Sequence, residues 1–296
     1  MKIVSNPCRL AERLHCLGPY SMPVFLLDGD RPVLFEGGMY EFGPHYLAEI
    51  YKILGDRNPA YILLTHMHFD HCGATGYLKR HFPSALIGQS AEGAEIIKKQ
   101  SAVDLITKLN AQGREGTFFE PFAVDMILSD GDILQVSEDE TIHVIKTPGH
   151  TWDHLSYYLP HLKALIPSEA AGVPGRGDYI VSDFLIGYDS YIGSLQRLST
   201  LDVDILILAH GSCYTGQDAR NFFPRAIECA IHFQKRITSL LGEYGKDHEA
   251  VVDTVRREEH NLIRVDKQSE IPYLINLRAK IKAVARDMEK STLNTR

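Results

Sequence analysis

The sequence predicts two apolar sheets packed face to face, with helices on their outer surfaces and a helical block closing the chain. Three observations carry this reading. Short, continuously apolar runs recur through roughly the first 210 residues, segments of helical periodicity separate them, and after residue 222 the pattern is helical with no strand signal. Runs that are apolar at every position are strands buried on both faces. Two packed sheets covered by helices is the layer arrangement that buries so many of them.

Taken in order, Val24-Phe25-Leu26-Leu27 and Val33-Leu34-Phe35-Glu36 flank Asp28-Gly29-Asp30-Arg31-Pro32 and predict a β-hairpin with a five-residue turn. Gly37-Gly38 follows, a pair that signals close backbone approach or an unusual turn. Residues 44–54 place Leu47, Ile50, Tyr51 and Leu54 at helical spacing. Tyr61-Ile62-Leu63-Leu64 reads as a buried strand and residues 73–82 as helical, so the polar stretch between them lies on a strand-to-helix loop. Leu86-Ile87-Gly88 is a short strand, and residues 91–110 form one or two helices. Residues 111–125 are weakly periodic and predict a surface loop, whose Phe118 and Phe119 either cover a pocket or pack on the core. Strands return at residues 142–145, 155–159, 164–167 and 205–208, with a helix over 190–201. Helical character holds from residue 222 to about 286, broken near 242–245 and 271–272, and the polar tail 287–296 is expected to fray. The expected division is a sandwich over residues 1–215 and a helical extension over 216–296 packed on it.

Composition narrows the function. The 296 residues are 44% hydrophobic and 23% charged, enough for a large core without disulfide or metal staples. A net charge of −7 does not favour nucleic acid as a partner. The five cysteines form no CxxC pair and read as reduced thiols. The N-terminal stretch has no apolar signal-like core, and no apolar run approaches the roughly 20 residues of a spanning helix. The expectation is a cytoplasmic protein without a membrane partner.

The loop after the 61–64 strand carries the chemistry. Thr65-His66-Met67-His68-Phe69-Asp70-His71-Cys72-Gly73 puts three imidazoles and a carboxylate within six positions. Nitrogen and oxygen donors at this density suit zinc, ferrous iron or manganese. Three further residues lie just beyond strand ends: His150 after Thr147-Pro148-Gly149, Glu169, and His210 in Ala209-His210-Gly211. Strand ends are how a rigid sheet gathers distant side chains around one centre. His154 is a weaker candidate, placed behind the ligands to hold an imidazole or the substrate. His143 alternates within a strand, and Cys72 and Cys213 read chiefly as small packing residues.

The order His66-x-His68-x-Asp70-His71, then His150 in Pro-Gly-His-Thr, an acid, and His210 in Ala-His-Gly resembles the metallo-β-lactamase superfamily over roughly residues 20–215. The resemblance implies an αββα four-layer sandwich, of mixed α/β class, with a two-metal site along one edge. It implies that His66, His68 and His150 bind one divalent transition-metal ion, that Asp70, His71 and His210 bind a second, and that Glu169 bridges them. Two positions depart from the family pattern: Ser168-Glu169 stands where Gly-Asp is usual, and Glu36 where the early strand-end motif commonly has Asp. Glu36 thereby joins His154 as a candidate behind the ligands. The Glu36-Gly37-Gly38 and Ser101-Ala102-Val103 motifs and the long helical C-terminus further resemble PqsE-like proteins, a quinolone-signalling branch. That likeness implies thioesterase activity on aromatic β-ketoacyl-CoA and an iron-containing site.

The expected activity is hydrolysis of an acyl-CoA-type thioester or small ester by a metal-held hydroxide, with Asp70 orienting it or shuttling a proton. A thiolate leaves readily because its thiol pKa is near 8.5, so a thioester asks less of an acid catalyst than an amide does. The alternatives are another substrate on the same scaffold, such as a lactone, and a regulatory binding protein that retains the metal site. The apolar positions of the C-terminal helices must bury against something, and these helices are expected to pack over the metal edge and narrow its entrance; the alternatives are the far side of the sandwich and a homodimer surface.

Overall fold

Each core strand buries alternate residues on opposite sides, and that alternation sorts the chain into four layers. The computed structural model describes residues 2–3, 8–263 and 270–294. Strand β1 (Lys2–Ile3) lies at the edge of the second of two seven-stranded sheets. The first sheet runs from β2 (Cys8–Arg9) through β3 (Leu14–Leu17), β4 (Val24–Leu27) and β5 (Val33–Phe35), all antiparallel. It continues parallel to β5 through β6 (Tyr61–Leu63), β7 (Leu86–Gln89) and β8 (Met126–Ile127). The second sheet builds antiparallel from β9 (Ile133–Gln135), β10 (Thr141–Lys146), β11 (Leu155–Leu159) and β12 (Ala164–Ile166). After a small ribbon, β13 (Val173–Pro174) and β14 (Ile180–Val181), strand β15 (Ile205–Leu208) pairs parallel with β12, and β16 (Ser212–Thr215) closes antiparallel on β15.

Phe25, Leu27, Val33, Phe35, Tyr61 and Leu63 of the first sheet meet Val144, Tyr157, Ile166 and Ile207 of the second in one central core. The intervening residues Val24, Leu26, Leu34 and Ile62 face outward and pack under α1 (Gly43–Leu54), α3 (Thr75–His81) and α5 (Gln100–Ala111); in the chain the short α2 (Phe69–Cys72) lies between α1 and α3, and α4 (Ala91–Ile97) between α3 and α5. Leu165, Leu206 and Leu208 face outward on the other side, under α6 (Tyr188–Leu198), α8 (Phe222–Tyr244), α9 (His248–Val255) and α10 (Glu270–Asn294), with the single-turn α7 (Gln217–Arg220) ahead of α8. This is the αββα arrangement. It explains why the strands read as unbroken apolar runs: both faces of each sheet are covered.

The hairpin, the helix over 43–54 and the core strands form where the sequence indicates. The short strands β3, β9 and β16 were not expected. Leu14-His15-Cys16-Leu17 and Ser212-Cys213-Tyr214-Thr215 carry no apolar run and are extended because their neighbours supply the ladder. The 111–125 loop packs on the helical layer: Phe119 is buried in that core, and Phe118 stacks edge-on against Tyr40. Residues 256–263 form a π-helix, while the expected helical stretch over 264–269 lies outside the described residues. The tail does not fray at 287. Helix α10 runs to Asn294, since Val284, Ala285 and Met288 continue its contact with the outer core, and residues 295–296 lie outside the described residues. No helix among the described residues is long and apolar enough to cross a membrane.

The C-terminal helices pack on the outer face of the second sheet and on α6, sharing one core with them. An arrangement directly over the metal-ligand edge, which their surplus of apolar positions suggested, is not what forms. That apolar surface is used against the sheet.

Candidate metal centre

The candidate side chains leave strand ends, the turns after them, or the short helix α2 that follows β6, and they converge on one edge of the sandwich. Glu36 follows β5, Thr65 and His66 follow β6, His150 and His154 lie on the β10–β11 turn, Glu169 follows β12, and His210 follows β15. Two bonds tie the sheets together here: the Tyr157 hydroxyl donates to the Leu64 carbonyl at 2.6 Å, and the Leu155 N–H donates to the Thr65 carbonyl at 2.8 Å. Among the described residues, five non-glycines have positive φ, and three of them, Glu36 (69°), Ser168 (47°) and His210 (58°), belong to this edge. Such residues persist where the surrounding structure over-determines them, and they cluster at functional sites.

Three triads of donor atoms, each with its atoms within 4.8 Å of one another, form here: His66, His68 and His150; His66, His71 and Glu169; and Asp70, His71 and His210. The first and third are the two ligand sets expected. Glu169 lies between them, with Oε1 at 3.0 Å from both His71 Nε2 and His210 Nε2, and Oε2 at 4.0 Å from His66 Nε2. The extra methylene of Glu therefore does not keep this carboxylate from facing both sets. Asp70 Oδ2 lies 3.9 Å from both His71 Nε2 and His210 Nε2.

The outer ring nitrogens of His66, His71, His150 and His210 have protein partners, and tautomers are assigned from such partners. The Thr65 hydroxyl donates to Glu36 Oε1 at 2.5 Å, so it accepts from His66 Nδ1 at 3.0 Å and leaves His66 Nε2 as a lone-pair donor. His71 Nδ1 lies 3.2 Å from Glu36 Oε1, His210 Nδ1 lies 3.4 Å from the Ser21 carbonyl, and His150 Nδ1 lies 2.8 Å from the Asp183 carbonyl and 3.3 Å from Asp183 Oδ2. Ligand imidazoles held this way present a fixed nitrogen to a metal.

Two details test whether a metal fits. His66 is fully buried, yet its Nε2 has no hydrogen-bond partner. His68 Nδ1 and His150 Nε2 face each other at 3.1 Å. Nitrogen ligands at about 2.0–2.1 Å from one tetrahedral zinc stand roughly 3.3 Å apart. An orphaned buried nitrogen and two converging imidazoles are the donor set a divalent cation satisfies.

Titration behaviour in the metal-free protein splits the histidines. Burial, reinforced by neighbouring imidazoles, lowers His66 well below its ordinary value and lowers His68 to about 4. Burial opposes protonation of His71 too, but Glu169, Glu36 and Asp70 outweigh it and raise that ring well above the ordinary value. His150 and His210 are raised despite burial, the first by Asp183 and the second by Glu169. Burial would raise Glu169, but His71, His210 and His66 hold it well below the usual carboxylate range.

Glu36 lies behind the candidate ligands, against His71 Nδ1 and the Thr65 hydroxyl. His154 does so differently: its ring stacks on that of His66 at 4.9 Å and 19°, and its Nδ1 meets the Thr147 hydroxyl at 3.1 Å, so it supports His66 by its face and not by a hydrogen bond. Gly37 and Gly38 both donate their N–H to the His71 carbonyl, at 2.7 and 3.1 Å, which explains the paired glycines. Cys72 is buried with its thiol 3.7 Å from the Met67 carbonyl, and Cys213 lines a separate small cavity, so both are packing residues. Sequence reading missed Thr65, Asp153 and Asp183. Asp153 accepts from the Met67 N–H at 2.8 Å and holds the His66–His68 loop. Asp183 sits in Ser182-Asp183-Phe184, which carries no motif, and only the fold brings it to His150. A cleft beside Asp70, His71 and His210 is lined by Met22, Pro23, Phe25, Ile166 and Ala209, and among the described residues none of the C-terminal helices lines it.

The model of the metallo-beta-lactamase superfamily matches residues 17–210. A hydroxyacylglutathione hydrolase of Mesorhizobium japonicum is 30% identical over 162 residues, 55% of this chain and 51% of that protein. An atrochrysone carboxyl ACP thioesterase of Aspergillus fumigatus is 28% identical over 151 residues, 51% of this chain and 38% of that protein. The chain thus spans about half the length of the first of these curated relatives and 38% of the second. Among solved structures, an archaeal metallo-beta-lactamase superfamily protein from Sulfolobus tokodaii superposes with a TM-score of 0.63 at 18% identity, covering 95% of this chain and all of that one. With the family match extending from β3 to His210, this chain belongs to the metallo-beta-lactamase superfamily.

Proposed function

We propose that the protein is a metal-dependent hydrolase of a small thioester or ester, with two divalent ions held by His66, His68 and His150 and by Asp70, His71 and His210, and with Glu169 between them. The observation that carries this reading is the placement of Glu169, whose two oxygens face different ligand sets. When bound, such ions supply a nucleophile by lowering the pKa of a coordinated water from 15.7 to about 7, and they polarise a carbonyl oxygen. The donor set admits zinc, iron or manganese.

The protein's own residues do the rest. Thr65, Glu36 and the Asp183 carbonyl hold the ligand rings in one tautomer, so their lone pairs stay aimed at the centre. Asp70 lies at the mouth of the cleft with its carboxylate near His71 and His210, placed to accept a proton from the attacking water and return it. A thiolate leaving group needs little protonation at neutral pH, so no separate strong acid is required. The hydroxyacylglutathione hydrolase and ACP thioesterase relatives favour thioesters over lactones on this scaffold. Residues 1–215 carry the ligands, and 216–296 form the supporting extension of a cytoplasmic enzyme.

The test combines elemental analysis with a panel of glutathione, acyl-CoA and lactone substrates. Protein prepared without chelator should hold close to two transition-metal ions and turn over a thioester. Glu169→Gln should lose at least one ion and cut turnover by about 10–100-fold, while Glu169→Asp keeps much of both. Wild-type protein that binds no metal even after reconstitution would refute the reading.

A further inference from the structure

Helix α10 carries a lysine where a lysine is least expected. Lys280 is 1% exposed, in the outer core beside Leu277, Ile281 and Val284, with its ammonium 5.3 Å from the centre of the Phe233 ring. A buried ammonium is costly unless paired, and replacing a buried ion pair by apolar residues is often neutral or stabilising. Packing alone therefore does not account for the charge. Its partner is Asp183: Lys280 Nζ lies 3.5 Å from Asp183 Oδ1. The other oxygen, Oδ2, lies 3.3 Å from His150 Nδ1, and the Asp183 carbonyl lies 2.8 Å from the same nitrogen.

The same short loop is gripped twice more. The Leu185 and Ile186 N–H groups donate to the Gly149 carbonyl, at 3.0 and 3.1 Å, next to His150. Arg286, further along α10, donates to the Ile186 carbonyl. Residues 183–186 are thus a splint between α10 on one side and the His150 turn on the other.

We propose that Lys280 is a positioning residue for the metal subsite of His66, His68 and His150, holding Asp183 so that the carboxylate and carbonyl of that residue fix the His150 ring. This rests on the metal-centre reading above and extends it: the C-terminal extension completes the support of one ligand. Without the ammonium, Asp183 keeps a buried charge with one partner fewer and is drawn toward other donors, so His150 loses a fixed orientation. Residues that orient a metal-bound imidazole typically change metal affinity by roughly 10–100-fold.

The test uses full-length protein stripped with chelator and titrated with zinc against a chromophoric competitor, with thermal unfolding recorded in parallel. Lys280→Met should weaken one zinc site by roughly 10–100-fold and leave the other close to wild type, and Lys280→Arg should retain most of the affinity. In an Asp183→Asn background, Lys280→Met should have no further effect. If Lys280→Met alone fails to fold, the double variant still decides, because it buries no unpaired charge: it should bind zinc as weakly as Asp183→Asn. A Lys280→Met protein that melts lower but binds zinc like wild type overturns the proposal, as does a double variant with wild-type affinity. Wild-type protein that takes up no zinc would instead fail the metal-centre reading itself, and this inference with it.

Discussion

At the scale of single residues, the site is a problem of proton ownership. In the metal-free protein His71, His150 and His210 are raised above the ordinary imidazole value of 6.5, because burial is outweighed by Glu169, Asp183 and the other facing carboxylates. A group with a raised folded-state pKa keeps its proton as pH climbs past 6.5 and yields it only at the higher value. A metal must displace those protons, so affinity should rise with pH from about 6.5 upward, by about tenfold per pH unit for each proton released. His66 and His68, lowered by burial, add no such protons near neutrality. Calorimetric titration of zinc at pH 7 in two buffers of different ionisation enthalpy should show release of more than the roughly one proton that a coordinated water gives up. Release of one proton or fewer would show that the imidazoles are already neutral.

At the scale of elements, the turn after β5 and the helix after the His-rich loop are built as a clamp. Glu36 holds the ring of His71 while Gly37 and Gly38 hold its carbonyl. A Cβ on Gly37 would stand 2.1 Å from the Thr75 hydroxyl oxygen, 3.0 Å from the Thr75 backbone nitrogen and 3.2 Å from the His71 carbonyl oxygen. The first contact can be relieved by rotation; the backbone contacts cannot. Gly37→Ala should therefore push the clamp off His71, costing about 1–3 kcal/mol of stability and weakening metal binding at the His71 set. Denaturant unfolding together with metal stoichiometry measures both. A variant unchanged in stability and metal content would show that the turn yields freely.

At the scale of the whole molecule, the extension is a layer and not an appendage. Ile145, Leu165, Leu206 and Leu208 on the second sheet share a buried core with Phe222, Phe223, Phe233 and Ile237 of α8 and with Leu277, Ile281 and Val284 of α10. A chain ending at Thr215 would leave that sheet face covered by α6 alone and would lose Lys280 as well. It should aggregate or unfold without a cooperative transition, seen by size-exclusion chromatography and thermal melting. A monomeric, cooperatively folding truncation with wild-type zinc uptake would show the unit over residues 1–215 to be independent.

The layers, and the residues proposed as ligands, were legible in the sequence. Strands buried on both faces must be apolar at every position, so 24–27, 61–64 and 205–208 announce themselves. Histidines and carboxylates gathered at strand ends and in the stretch after β6 are donor types a divalent cation takes, so His66, His68, Asp70, His71, His150, Glu169 and His210 could be named as candidates before any fold was seen. The short strands β3, β9 and β16 were not legible, because their extension comes from a neighbouring ladder and not from their own residues. Nor were Thr65, Asp153, Asp183 and Lys280. A supporting residue needs only one polar atom at one point in space, a requirement many residue types meet and no spacing encodes. The sequence pointed the C-terminal helices to the wrong surface, since an apolar helix face fits any apolar surface, and only the packed outer sheet, with α6 already on it, decided where they dock. That docking is what carries Lys280 to Asp183, and Asp183 to His150.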